Sequence, residues 1–155
     1  MFFEHKQLYR SVYQDVPTDY YTIPFGKVAL LKEGTQVTII SFGAGVHWAL
    51  ETLEKHPEIS ADMLDLRTLQ PLDTEAIFTS VKKTNKVIIL QEDTLFGGVA
   101  SDISAMIMEQ CFEHLDAPVI RVGSLESAIP FVKALEDQYL PKERFEKELI
   151  KLLAY

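Results

Sequence analysis

From Lys27 onward the chain alternates between two hydrophobic periods, short β-prone runs and stretches with an apolar residue every three or four positions. Lys27–Lys32 and Gln36–Phe42 are β-prone runs flanking Glu33-Gly34-Thr35, which reads as a tight turn with glycine supplying positive φ. The pair predicts a hairpin, and hence one antiparallel strand. Gly43-Ala44-Gly45 then leads into Val46, Ala49, Leu50 and Leu53 at helical spacing, with the helix ending before Pro57. Met63–Leu66 predicts the next strand. Asp73 stands where an N-cap belongs, and Glu75 suits the positive end of the helix that follows. Ile77, Phe78 and Val81 form its buried stripe, and Lys82 and Lys83 suit its C-terminal end. Lys86–Gln91 contains the unbroken run VIIL, as expected of a strand covered on both faces. Val99, Ile103, Met106, Ile107 and Cys111 predict a helix to about His114, and Val119–Val122 a last short strand. Ser124–Pro141 reads as irregular, and Pro141 opens a final helix with Phe145, Leu149, Leu152 and Leu153 on its apolar face. The centre is Ala61–Ala100, one parallel crossover unit. The whole predicts a three-layer α/β/α domain with a mixed sheet of about five strands and about three flanking helices.

Ahead of this pattern, Met1–Glu4 is a short apolar burst that reads as cut off upstream. His5–Tyr21, polar and aromatic with Pro17 and no sustained period, reads as a linker crossing a surface. The expected division is residues 1–21 as the end of a preceding domain and a linker, and residues 22–155 as the α/β domain.

With 155 residues, 47% hydrophobic and 25% charged, the chain is long enough for one domain with a substantial core. Its net charge of −8 and the absence of any basic run longer than Lys82-Lys83 argue against nucleic acid as a partner. The same acidity would steer association with a basic protein. A single cysteine, Cys111, excludes an internal disulfide and fits a reducing, cytoplasmic setting. No apolar run approaches the roughly 20 residues that span a bilayer, and no signal-peptide layout opens the chain.

Candidate chemistry is sparse. Gly43-Ala44-Gly45 with Asp65 about twenty residues on has the outline of a dinucleotide-binding fingerprint, which would make the chain a free-standing nucleotide or small-ligand module. Trp48 stands at the third glycine position and argues for a plain strand–helix turn. Gly97-Gly98 precedes a helix whose free N–H groups suit an anion, but close helix packing explains the pair as well and no lysine adjoins it. Glu92-Asp93 lies at the carboxyl end of a strand, where α/β proteins keep ligands; a solvated loop or an interface contact is the plainer reading. His5, His47, His56 and His114 stand apart without metal-ligand spacing. Nothing resembles a nucleophile elbow, and Cys111 lies on the apolar stripe of its helix. No catalytic, cofactor-binding or metal set assembles.

At Asp65–Asp73, DLRTLQPLD, the sequence resembles the C-terminal domain of the β subunit of the thiamine-diphosphate-dependent decarboxylating component of 2-oxo acid dehydrogenase complexes. The likeness extends through FFEHKQLYR, IPFGKVALLKEGTQVTIISFG, QEDTLFGGVASDI, DAPVIRV and ALEDQYLP. It implies a transketolase C-terminal-domain-like fold, a mixed five-stranded sheet whose first strand is antiparallel. It also implies that thiamine diphosphate, magnesium and the catalytic residues belong to other domains of the complete enzyme, so no catalytic, cofactor-binding or metal residue is carried over and the chain alone is expected to be inactive. The partners implied are a second copy of the domain about a twofold axis, the α subunit or remaining domains, and the basic subunit-binding domain of the dihydrolipoyl acyltransferase. The acids implied for that docking are Asp116, before Ala117-Pro118, and the terminal carboxylate of Tyr155. Glu92, Gly97 and Gly98 are expected at packing or subunit contacts rather than at substrate. Glu126–Pro130 departs from the family's Asp-x-Pro pattern, so no contact is carried over there. The motif style leans towards the branched-chain over the pyruvate type. A transketolase or deoxyxylulose-phosphate synthase domain is the related alternative, against which FFEHKQLYR and YLPKERFEKEL argue.

Overall fold

The computed structural model of the protein describes residues 2–155. Its strands are β1 (Ala29–Lys32), β2 (Val37–Ser41), β3 (Ala61–Asp65), β4 (Val87–Thr94) and β5 (Ile120–Ser124). Its helices are the single turn α1 (Leu8–Ser11), α2 (Ala44–Lys55), α3 (Thr74–Thr84), α4 (Val99–Cys111), α5 (Lys133–Tyr139) and α6 (Lys142–Leu153), with a 3-10 turn at Phe112–His114. The sheet order is β1-β3-β2-β4-β5, with β1 antiparallel to β3 and the other pairings parallel. This is the expected three-layer α/β/α fold with one antiparallel strand.

Successive side chains of a strand point to opposite faces, so the apolar runs in β2 and β4 feed two cores at once. Ile39, Met63, Ile88 and Leu90 pack with Trp48 and Leu53 of α2 and with Phe145 and Leu149 of α6. Ile40, Leu64 and Ile89 pack on the other face with Ile77 and Val81 of α3 and with Ile103 and Ile107 of α4. Among the described residues four long helices therefore flank the sheet, the four that the apolar spacing marks, against a total expected at about three. The N-cap at Asp73 forms as predicted, its carboxylate accepting the Ala76 N–H at 3.3 Å.

Three expectations change. β1 and β2 form no hairpin: β3 lies between them, and the Glu33–Gln36 link crosses beneath the start of β3. There the N–H groups of Thr35 and Gln36 both donate to Ser60 O, at 3.2 and 2.8 Å, and the Gly34 N–H donates to Asp62 Oδ1 at 2.8 Å. Gly34 is needed because a Cβ would strike the backbone of Ser60 and Ala61, and its φ is not positive. The stretch Ser124–Pro141 is not wholly irregular, since it contains α5. Arg144 closes the end of that helix, donating from Nη1 to Gln138 O at 3.1 Å and from Nη2 to Tyr139 O at 2.8 Å. Within the segment read as a linker, α1 forms one turn and Leu8 packs on the Trp48 core, while Tyr9, Tyr13, Tyr20 and Tyr21 are exposed.

His56, just past α2, joins that helix to α6. Its Nε2 lies 2.9 Å from Glu146 Oε1 and its Nδ1 3.2 Å from Glu58 Oε1. The bond to Glu146 first and that to Glu58 second raise the His56 pKa, while the His56 ring holds Glu146 below the usual carboxylate range. Glu58 is also lowered, by its own backbone N–H first and by His56 second. A raised histidine contributes stability that is present below its unfolded value of 6.5 and is lost as pH rises through the folded value. The lowered glutamates contribute above their unfolded value of 4.5 and lose it as pH falls through their folded values. The expected outcome is that the melting-temperature difference between the native chain and His56→Gln is largest between about pH 4.5 and 6.5, and shrinks as pH rises through the raised His56 value or falls through the lowered glutamate values. A difference independent of pH in thermal melts would show that the ion-pair cluster contributes nothing.

Candidate docking site

The two ends of the sheet differ in what they leave free. At the carboxyl ends of the parallel strands, the loop Glu92–Gly98 is tied down from several sides. Glu92 Oε2 lies 2.8 Å from His5 Nε2, which straps residues 5–12 over the end of β4, and the Glu92 carbonyl accepts the Ser124 hydroxyl. Buried Gln91 turns its side chain onto the start of α4: Oε1 accepts the Ala100 N–H at 2.8 Å, and Nε2 donates to the Thr94 carbonyl. A Cβ on Gly98 would strike that amide and lie 2.6 Å from Thr94 O. Gly97 has nothing within 4 Å but sits at φ +72, the left-handed region. The Phe96 N–H donates to Glu126 Oε1 at 2.9 Å. The N–H that an anion would use on Ala100 is therefore taken by Gln91, and Gly98 serves a close approach.

In the other glycine loop, Gly43 has nothing within 4 Å and Gly45 is tightly packed. A Cβ on Gly45 would strike the Ser41 hydroxyl, and Trp48 is buried with Lys142 Nζ 5.3 Å from its ring centre. Asp65 is half-buried and accepts the Arg67 N–H at 3.0 Å. Burial pushes its carboxyl above the usual carboxylate range, against the pull of that N–H and the neighbouring Arg67 and His47 charges. Gly45 and Gly98 thus each stand where a larger residue would strike a side chain of the same fold. Among the described residues no group of three acidic, His or Cys side chains is placed to hold a metal ion. Cys111 is buried, and desolvation raises its thiol.

At the opposite end, where the parallel strands begin, Asp116 is exposed ahead of β5 and Tyr155 is 65% exposed after α6. No hydrogen bond or ion pair joins the two, and neither carboxylate takes part in an ion pair among the described residues. What lies between them is the α3–β4 turn, Asn85-Lys86. Asn85 caps α3 in the left-handed conformation at φ +62, its N–H donating to Val81 O at 2.8 Å. Its carbonyl accepts the Asp116 N–H at 2.9 Å, and its side-chain Nδ2 donates to His114 O. Lys86 Nζ donates to Leu153 O at 3.3 Å, at the C-terminal end of α6. Sequence reasoning passed over both residues, although Asn directly after Lys82-Lys83-Thr84 carries the signature of a left-handed helix stop.

The family described as "Transketolase, C-terminal domain" matches residues 26–144. The chain belongs to that family. This transketolase C-terminal domain is 45% identical over 142 residues to the acetoin:2,6-dichlorophenolindophenol oxidoreductase subunit beta of Bacillus subtilis, covering 90% of this chain and 41% of that protein. It is 41% identical to the 2-oxoisovalerate dehydrogenase subunit beta of the same organism, covering 90% of this chain and 44% of that protein. Against the pyruvate dehydrogenase E1 component subunit beta of Rickettsia felis it is 38% identical, covering 100% of this chain and 48% of that protein. The chain therefore spans less than half the length of these relatives. Among solved structures, a split-gene transketolase described as an inactive beta4 tetramer superposes with a TM-score of 0.74 at 27% identity, over 86% of this chain and 44% of that one. The resemblance seen at Asp65–Asp73 is thus borne out, towards β subunits of the acetoin, branched-chain and pyruvate types.

Proposed function

We propose that this chain is the C-terminal assembly and docking domain of the β subunit of a thiamine-diphosphate-dependent decarboxylating component. The complete enzyme would oxidatively decarboxylate a 2-oxo acid and pass the acyl group to a lipoyl arm. The observation that carries the reading is likeness along nine-tenths or more of this chain to β subunits, and the tight packing of Gly45 on Ser41 and of Gly98 on Gln91 supports it. In this account thiamine diphosphate and magnesium are held by the rest of the enzyme, and this chain contributes assembly. Residues 1–21 connect it to what precedes, the α subunit and a second copy of the domain are its fixed partners, and the setting is cytoplasmic. No helix among the described residues is long and apolar enough to cross a membrane.

The mobile partner is the basic subunit-binding domain of a dihydrolipoyl acyltransferase, docking at Asp116 and the Tyr155 carboxylate. Two carboxylates without ion-pair partners among the described residues, on a chain of net charge −8, suit charge-assisted hydrogen bonds from Arg or Lys and fast encounter with a basic surface. The expected result is that Asp116→Arg weakens binding of that domain about 100-fold, and that removal of Tyr155 weakens it about 10-fold, with a reduced salt dependence of association. Isothermal titration calorimetry measures both, and unchanged affinity in the two variants sinks the docking assignment.

A further inference from the structure

The two acids assigned to docking lie on separate segments, so something must fix their spacing. We propose that the Asn85-Lys86 turn is the positioning element of the docking site, Asn85 acting through Asp116 and Lys86 acting through the C-terminus. This rests on the docking reading and adds residues that touch neither the partner nor each other's acid.

The geometry is specific. Asn85 holds the Leu115-Asp116 corner from both sides, accepting the Asp116 N–H at 2.9 Å through its carbonyl and donating from Nδ2 to His114 O. The corner's other ties are the Leu115 N–H to Phe112 O at 3.2 Å and the packing of Leu115 and Ala117 on opposite cores, while Asp116 itself and Pro118 are exposed. An exposed acid on a short corner has its direction set by main-chain tethers, and Asn85 supplies two. Its left-handed φ aims both groups at the corner, since an ordinary right-handed residue there would continue α3.

The next residue does the corresponding work on the other side. The Lys86 carbonyl is fixed inside the fold, accepting the Thr38 N–H at 2.8 Å and the Thr84 hydroxyl at 3.2 Å, while its ammonium reaches out to Leu153 O. α6 ends there with Leu152 in the core and Leu153 packed on it, and among the described residues the two that follow are bonded through the Ala154 and Tyr155 N–H groups, at 3.2 and 3.3 Å from Lys151 O and Leu152 O. A cation bonded to the negative end of α6 resists fraying of that last turn, and so narrows the positions the Tyr155 carboxylate can take. Two consecutive residues thereby link the corner before β5 to the end of α6. A partner with two cationic groups at a matching spacing meets preorganised acids, which lowers the ordering cost of association.

Double-mutant cycles on the 155-residue chain, titrated calorimetrically with the recombinant subunit-binding domain of a 2-oxo acid dehydrogenase acyltransferase, separate positioning from general damage. Asn85→Gly keeps the left-handed conformation and removes only the side-chain tether, and Lys86→Met keeps the aliphatic stem. Asn85→Gly is expected to weaken binding about fivefold alone and less than about twofold in an Asp116→Asn background, because it acts through that acid. Lys86→Met is expected to behave likewise against removal of Tyr155 and to add fully to Asp116→Asn. Melting temperatures taken alongside confirm that each variant is folded. If Asp116→Asn itself binds like the native chain, the docking reading falls and this inference with it. If Asp116→Asn is weak while Asn85→Gly is neutral, or is fully additive to it, the inference alone is overturned.

Discussion

Replacing Asp62 by Ala is expected to lower the unfolding free energy by about 3 kcal/mol, a large part of the stability of a domain this size. Asp62 is 2% exposed. Its Oδ1 lies 2.7 Å from Lys83 Nζ and accepts the Gly34 N–H at 2.8 Å, while its Oδ2 accepts the Ser80 hydroxyl at 2.7 Å. Ser80 and Thr84 both share hydrogen bonds with the Thr38 hydroxyl, each at 2.7 Å. One carboxylate therefore ties the β1–β2 link, β3 and α3 together. Lys83 is partly exposed and can turn to water, but the Gly34 N–H is enclosed under Ala61 and would lose its acceptor. An unsatisfied buried donor costs about 1–3 kcal/mol, to which the loss of a charged partner adds. Asp62→Asn keeps the shape and one acceptor and should cost roughly half as much. Urea unfolding tests this through the midpoint at unchanged slope. An alanine variant within about 1 kcal/mol of the native chain would show that the network is not a joint of the fold.

The glycine pair before α4 gives the second large effect, and an asymmetric one. Gly98→Ala should destabilise by about 2–3 kcal/mol, because the new methyl group meets both the Gln91 amide and the Thr94 carbonyl, and moving Gln91 releases the Ala100 N–H it caps. Gly97→Ala meets no neighbour and should cost only the left-handed conformation at φ +72, about 1 kcal/mol. Thermal or urea melts of the two variants distinguish them. A tolerated Gly98→Ala would reopen the loop as a candidate anion site, since the close approach would then not be what glycine serves there.

The layers of the fold were legible because they rest on local period. Ile39-Ile40 and Ile88-Ile89 announce strands covered on both faces, and Asp73 with Lys82-Lys83 brackets α3 from end to end. The order of strands was not legible. Gly34 between two β-prone runs has the look of a hairpin turn, whereas its role is to let the chain pass under Ser60-Ala61, residues remote in sequence. Nor does local pattern reveal α5, whose end is held by Arg144 from the next helix. The candidate site divides in the same way. Asp116 and Tyr155 came from family likeness, and neither has a local signature beyond a turn and a terminus. Asn85 and Lys86 matter through carbonyls and N–H groups at His114, Asp116 and Leu153, pairings that only the folded chain brings together. Conversely Glu92 and Gly98, which look like chemistry in the sequence, are engaged by His5, Ser124 and the Gln91 side chain.

On the proposed docking reading, recognition takes place where the parallel strands begin and not where they end. The most direct test is to titrate the isotope-labelled chain with an unlabelled acyltransferase subunit-binding domain and follow its backbone amide resonances. Changes are expected to concentrate at Asn85, Lys86, Asp116 and Tyr155, with Glu92–Gly98 unmoved. Changes centred on Glu92–Gly98, with the Asn85, Asp116 and Tyr155 amides unaffected at saturation, would contradict it.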